Sequence, residues 1–141
     1  MSDKKTTEEK ITGVNAILKK GEPGNISHDD YSGYTGYSPQ YIIDATNKVF
    51  GIGNWGFEEI SNKFVDKDPK TNKPKLALAK IVVWIKGVDF KPSAYGQSRI
   101  TRDDYGDAKK GAQTDAIKKA LSYFSIGNRA FHGLLNNENH S

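Results

Sequence analysis

Hydrophobic spacing along the chain changes period several times, and each change marks an element. Between Glu8 and Lys20, Ile11, Val14, Ile17 and Leu18 recur at helical spacing, and Gly21-Glu-Pro-Gly closes that short helix. Asn25 to Gly36 has no period and is rich in Gly, Ser, Asp and Tyr, so it reads as an irregular linker with a domain boundary near residue 30. Ser38-Pro39 has the form of an N-cap followed by first-turn proline, and Tyr41, Ile42, Ala45, Val49 and Phe50 make one apolar stripe of a second helix. Alternation from Phe57 to Asp66 predicts a strand, and Asp66 to Lys75 is too rich in Pro, Asn and Lys to be anything but a loop. Leu76 to Ile85 is almost continuously apolar and β-branched, which predicts a central strand with both faces largely covered. Lys86-Gly87 is a tight turn, and Val88 to Ser98 returns antiparallel, with Pro92 marking a bulge or an edge.

The last main helix opens at Thr101-Arg-Asp-Asp104, which has the spacing of a capping box, and runs to about Ser125. Ile117, Ala120, Leu121 and Phe124 form its bulky face, and Ala108, Ala112 and Ala116 a small-residue flank. Thr114, Asp115, Lys118, Lys119 and Ser122 form its polar face. The predicted fold class is therefore α+β: a helix, a three-stranded antiparallel sheet, and a long helix packed on that sheet. Residues 1–30 are expected to be a polar segment, partly disordered or a short helix, residues 31–135 the core domain, and 136–141 a disordered tail.

Composition narrows the functional classes. The chain has 141 residues and no cysteine, which excludes disulfides, thiolate metal sites and cysteine nucleophiles together. No run approaches the roughly 18 apolar residues of a membrane span, and the polar start lacks a signal peptide, so a cytoplasmic protein is expected. The net charge of +4 hides an asymmetry. Residues 1–69 carry 8 Lys+Arg against 11 Asp+Glu, a net −3, and residues 70–141 carry 13 against 6, a net +7. A polyanion partner for the second half and a merely solvated basic surface are both consistent with that split.

Four motifs could carry chemistry. Gly51-Ile-Gly53-Asn-Trp-Gly56 matches the dinucleotide GxGxxG by letter, but a helix precedes it and a strand follows, the reverse of a phosphate-binding turn; it reads as a helix stop. His28, His132 and His140 share no metal-ligand spacing. Asp103, Asp104 and Asp107, or Glu58 and Glu59 with Asp89 and Lys91, would be the carboxylates and lysine of a metal-dependent nuclease; helix capping explains the first group as well. Lys118 and Lys119, Lys109 and Lys110, and Arg99 and Arg102 place cations along the last helix and at its start, where they would follow a phosphate backbone. A surface helix kept wet, with Asp115 and Lys119 paired at i,i+4, is the competing reading.

Tyr41-Ile-Ile-Asp-Ala-Thr-Asn-Lys-Val-Phe-Gly-Ile-Gly-Asn-Trp55 and, after Tyr95-Gly96, Ala108-Lys-Lys-Gly-Ala-Gln-Thr-Asp-Ala-Ile-Lys-Lys-Ala-Leu-Ser-Tyr-Phe124 resemble two segments of the Rad-fifty-two superfamily of single-strand annealing proteins, which includes the DdrA proteins of radiation-resistant bacteria. The similarity covers about residues 34 to 135. It implies a β-β-β-α core in a homo-oligomeric ring that holds single-stranded DNA by its backbone and anneals it without ATP, cofactor or covalent step, in recombination and double-strand break repair. Lys118 and Lys119 match paired basic residues of the groove, Lys86 a basic residue of an outer DNA site, and Arg99 and Arg102 lie near another part of it. Three positions depart from the eukaryotic pattern: Tyr41 and Ser122 stand at arginines, and Ile52 stands at an aromatic. That implies either a weaker groove or one whose charge comes from Lys48, Lys109 and Lys110. The chain ends soon after the core, so annealing rather than recombinase loading is expected, with a recombinase or single-strand-binding protein as further candidate partners. A bacterial member would lie with the nucleoid and a phage member in the host cytoplasm. A metal-dependent nuclease and a non-enzymatic protein-interaction module remain the alternatives.

Overall fold

A computed structural model describes residues 5–29 and 34–127, which fall into two compact units. One unit comprises residues up to Asn54 together with those from Leu121; the other is Trp55–Ala120. The expected tail over 136–141 and His132 and His140 lie outside the described residues.

In the first unit, helix α1 spans Thr7–Lys20, a little more than its periodicity predicts. Thr6 and Glu9 close a capping box: the Thr6 hydroxyl accepts from the Glu9 amide at 3.1 Å and the Glu9 carboxylate from the Thr6 amide at 3.0 Å. Those bonds, the Thr6 backbone one foremost, hold the Glu9 carboxyl below its usual range. Val14 and Leu18 are fully buried, and α1 packs on α3, Pro39–Phe50, whose buried stripe is Ile42, Ala45, Thr46 and Phe50. Asn15 ties the turn that follows the last helix to α1, donating to the Ser125 carbonyl at 2.8 Å and accepting from the Gly127 amide at 2.9 Å.

The stretch read as an irregular linker is instead ordered on both sides of its middle. A short helix α2, Glu22–Asn25, leads into strands β1, Ile26–Asp29, and β2, Tyr34–Tyr37, which pair antiparallel with Ile26 opposite Tyr37. Strands of four residues are too short to show a period, and their Gly and Ser content masks them. What holds β2 is tertiary: the Tyr37 ring is buried, its hydroxyl donates to Glu22 at 2.8 Å, and it lies 6.0 Å from the Tyr41 ring.

The second unit is a three-stranded antiparallel sheet in the order β3-β4-β5, with α4 packed on one face. Strand β3 spans Trp55–Lys67, β4 Pro74–Ile85, β5 Ser93–Arg99 and α4 Tyr105–Ser122, of which Tyr105–Ala120 belongs to this unit. A register shift between Glu59 and Ser61 leaves Ile60 as the extra residue of a bulge. Burial along β4 alternates strictly: Ala77, Ala79, Ile81, Val83 and Ile85 are buried, and Leu76, Leu78, Val82 and Trp84 are half-exposed. The expectation that both faces are largely covered is corrected: among the described residues of this unit, the β4 side chains under α4 are buried and those on the opposite face are half-exposed. A continuously apolar run shows the strand but not how many sides are occupied.

Boundaries also move: Asp66 and Lys67, and Pro74 and Lys75, read as loop, are the ends of β3 and β4. Val88 to Pro92 is loop, although the Pro92 carbonyl still accepts from the Val83 amide at 2.9 Å, and β5 begins one residue later as an edge strand. Thr101 is not the N-cap of α4. Arg102 and Asp103 have φ of 54° and 56°, left-handed geometry that no first helical turn accepts. Asp104 caps instead, its carboxylate accepting from the Asp107 amide at 3.0 Å. At the far end α4 stops at Ser122, and Ser122 itself is buried rather than on the polar face.

Gly96 sets how close α4 comes. A Cβ there would fall on the Ala112 carbonyl and the Ala116 amide, and within 2.7 Å of the Ala116 Cα. Gly111 in turn lies against Ser98. Later helix residues therefore lie over earlier strand residues: α4 runs antiparallel to β5 and ends toward the β4–β5 turn.

Candidate nucleic-acid interface

The outward edge of α4 carries Thr114, Asp115, Lys118 and Lys119 because Ala108, Ala112, Ala116, Ile117 and Ala120 turn inward. Asp115 organises this edge. One of its carboxylate oxygens accepts from the Gln97 backbone amide at 3.0 Å and faces the Lys119 ammonium at 3.0 Å. The carboxylate thus closes an open amide of edge strand β5 and fixes the lysine four residues on, so the i,i+4 pair weighed from the sequence is formed. Lys118 is half-buried. Burial holds its pKa below the usual lysine range; Asp115 pulls it back up, and Lys119 pushes it further down.

The remaining cations divide between the ends of this unit. Lys86 is exposed in the β4–β5 turn, where the Val88 amide donates to the Ile85 carbonyl at 3.0 Å and Gly87 has φ of 83°. That is the end toward which α4 points with Lys118 and Lys119. At the other end are Arg99, the last residue of β5, Arg102 in the left-handed turn, exposed Lys110, and Lys109, whose ammonium lies 4.9 Å over the Phe64 ring. Lys48 belongs to the other unit, in the last turn of α3, where a cation also offsets the helix dipole.

Strand register exposes residues that spacing alone had passed over. Residues opposite one another share a face, so Lys63, Val65 and Lys67 of β3, Leu76, Leu78, Lys80, Val82 and Trp84 of β4, and Tyr95, Gln97 and Arg99 of β5 share the face opposite α4. On it Lys80 lies 5.6 Å from the Tyr95 ring centroid, a cation–π contact. The sequence signal existed, as a basic or aromatic residue at every second or fourth position, but it needs the pairing to be read.

The acidic candidates separate. Glu58 and Glu59 are consecutive on β3 and face opposite sides. The Glu59 carboxylate accepts from Asn62 at 2.9 Å and Gln113 at 3.4 Å, and Asp103 pairs with Lys73 at 3.5 Å. Asp89 and Lys91 are in the loop after β4, and Asp104 is occupied as a cap. Among the described residues no three His, Cys, Asp or Glu side chains gather as a metal site would require. The GxGxxG segment is the helix stop expected of it: Gly51 and Gly53 have φ of 80° and 83°, and the Gly51 amide donates to the Asn47 carbonyl at 2.9 Å.

One of the departures from the expected pattern has a structural duty. The Tyr41 hydroxyl lies 2.7 Å from the Ile17 carbonyl and 3.0 Å from that of Leu18, closing the C-terminal end of α1. Ser122 is buried. Ile52 is fully exposed in the turn.

The model of the Rad52/22 family of double-strand break repair proteins matches residues 19–137. The chain belongs to the Rad52/22 family. It is 34% identical over 137 residues to the DNA repair and recombination protein radC of Emericella nidulans, covering 86% of this chain and 23% of radC. The DNA repair and recombination protein mus-11 of Neurospora crassa is 30% identical, covering 87% of this chain and 22% of mus-11. The similarity to rhm52 of Pyricularia oryzae is 33% over 96 residues, covering 62% of this chain and 17% of that protein. The chain thus spans under a quarter of the length of these relatives. The Rad52/22 match contains α3, the whole sheet and α4, the elements on which the candidate cations lie. Among the described residues no helix is long and apolar enough to cross a membrane.

Proposed function

We propose that this protein binds single-stranded DNA by its phosphates and anneals complementary strands, without ATP and as a homo-oligomeric ring, in recombination and double-strand break repair. Family membership supports the pathway. The observation that carries the biochemical reading is the Lys118–Lys119 edge of α4, a half-buried lysine beside one held by Asp115, on a unit that is itself strongly basic. Trp55–Ala120 contains 14 Lys+Arg against 9 Asp+Glu, a net +5, which leaves −1 for the rest of the chain. Cations on phosphates release counterions and let two strands approach that would otherwise repel; base pairing supplies the fidelity and no bond is made or broken. Lys86 lies toward the same end of this unit, Arg99, Arg102, Lys109 and Lys110 offer further phosphate contacts at its other end, and Lys48 on α3 is a separate candidate contact in the other unit. Self-association is supported by the exposed large apolar residues Ile60, Phe64, Phe90 and Tyr95 and by two sheet edges, β3 and β5, that pair with nothing else in the sheet.

Annealing of complementary oligonucleotides in the absence of nucleotide and divalent metal, read beside the particle mass, tests this. Wild-type protein should form multimers and accelerate annealing. Lys118→Ala with Lys119→Ala should slow annealing at least tenfold at unchanged secondary structure. A monomer that does not anneal overturns the reading, and an unimpaired double variant removes these two lysines from it.

A further inference from the structure

Beside the loop between β4 and β5 lies an open pocket of about 400 Å³ that the backbone-binding reading does not use. Its lining includes Trp84, Lys86, Val88, Asp89 and Lys91. Trp84 is one of two tryptophans, and they differ in kind: Trp55 is buried opposite Ile85, whereas Trp84 is half-exposed on the face of the sheet opposite α4. Its cross-strand partner is Gly56. A Cβ on Gly56 would lie 2.6 Å from Cζ2 and 2.8 Å from Cε2 of the indole, so the ring occupies the space that the missing side chain leaves. The ring is thereby braced against strand β3 and held at the pocket wall.

Aromatic surface, charge and position coincide there. Lys86 and Lys91 line the same pocket as the ring, and neither forms an ion pair among the described residues. Asp89 supplies a single carboxylate, so the lining keeps a net positive charge. The pocket is also at the end of the unit toward which α4 points with Lys118 and Lys119. An indole that shares a pocket lining with two ammonium groups suits a nucleotide unit, the base on the ring and the neighbouring phosphates on the lysines. Sequence tolerance follows, because every base has a π-face.

We propose that Trp84 is a base-stacking platform for one nucleotide of a bound single strand, with Lys86 and Lys91 holding the phosphates beside it. The site rests on the single-strand-binding reading above and adds to it a contact with a base. A strand pinned at one base per subunit would keep its register while its remaining bases stay open to a complement.

Tryptophan emission and affinity test this with an oligodeoxythymidylate and an abasic oligonucleotide of equal length. The thymidylate should quench the emission of wild-type protein and of Trp55→Phe, and the abasic strand should quench far less. Trp84→Leu should lose the quenching and bind on the order of tenfold more weakly at an unchanged salt slope, since no phosphate contact is removed. Trp84→Phe, which keeps a ring, should recover most of the affinity. Equal quenching by the abasic strand, or wild-type affinity in Trp84→Leu, overturns the platform while leaving phosphate binding in place. Absence of any single-strand binding by wild-type protein overturns both.

Discussion

At the scale of single residues, Lys118 is a charged group held in a partly buried environment. Burial lowers its pKa, so between that value and the ordinary lysine range the folded chain holds fewer protons than the unfolded one. Stability linked to Lys118 therefore rises with pH through this window, and the cost of burying its charge is fully present below it. An arriving phosphate reverses the balance by favouring the charged form. Binding of a single strand at alkaline pH should then take up protons, and affinity should fall at lower pH than exposed lysines would dictate. Calorimetry in buffers of different ionisation enthalpy measures the uptake. Lys118→Met should abolish it and leave the fold at least as stable at neutral pH; unchanged uptake would assign the effect elsewhere. The identity of Lys118 as a candidate was legible in the sequence. Its state was not, because the burial of a side chain is set by the tertiary fold around it.

At the scale of elements, the packing of α4 on β5 rests on backbone proximity more than on side-chain bulk. Ala108, Ala112 and Ala116 were legible as a small-residue flank, yet what they meet was not, since Gly96 is on a different element. Gly96→Ala forces a Cβ into helix backbone that cannot yield without moving α4, and overpacking of this kind costs about 1–3 kcal/mol or more. Gly111→Ala meets the Ser98 hydroxyl oxygen at 2.5 Å, which can rotate away, and the Ser98 Cβ at 2.9 Å, which needs only a small shift, with no backbone atom in the way. Chemical denaturation should rank Gly96→Ala clearly below Gly111→Ala, and equal costs would mean that the helix is not seated on the strand as described. The capping of α4 teaches a related point. Thr101 and Asp104 have the spacing of a capping box, but two left-handed residues between them hand the cap to Asp104 alone.

At the scale of the whole molecule, the seven candidate cations of the basic unit cannot all be counted as one site. Single strands lose about 0.7 of log affinity per log unit of salt for each phosphate neutralised. All seven together would give a slope near −5, whereas Lys86, Lys118 and Lys119 with Lys91 of the stacking site, which share one end, would give about −3. A slope near −3 per subunit is expected from titrations over a range of salt, and a slope near zero would remove the electrostatic mechanism. What the amino-acid order determined alone was whatever depends on near neighbours: the periods of α1, α3 and α4, the apolar run of β4, the helix stop at Gly51, and the excess of cations in the second half. Tertiary structure decided the rest, because each remaining feature joins residues distant in sequence. Pairing of β3 with β4 put Trp84 against Gly56, the seating of α4 on β5 brought the Ala112 and Ala116 backbone against Gly96, and the deeper burial of one sheet face than of the other followed from where α4 came to lie.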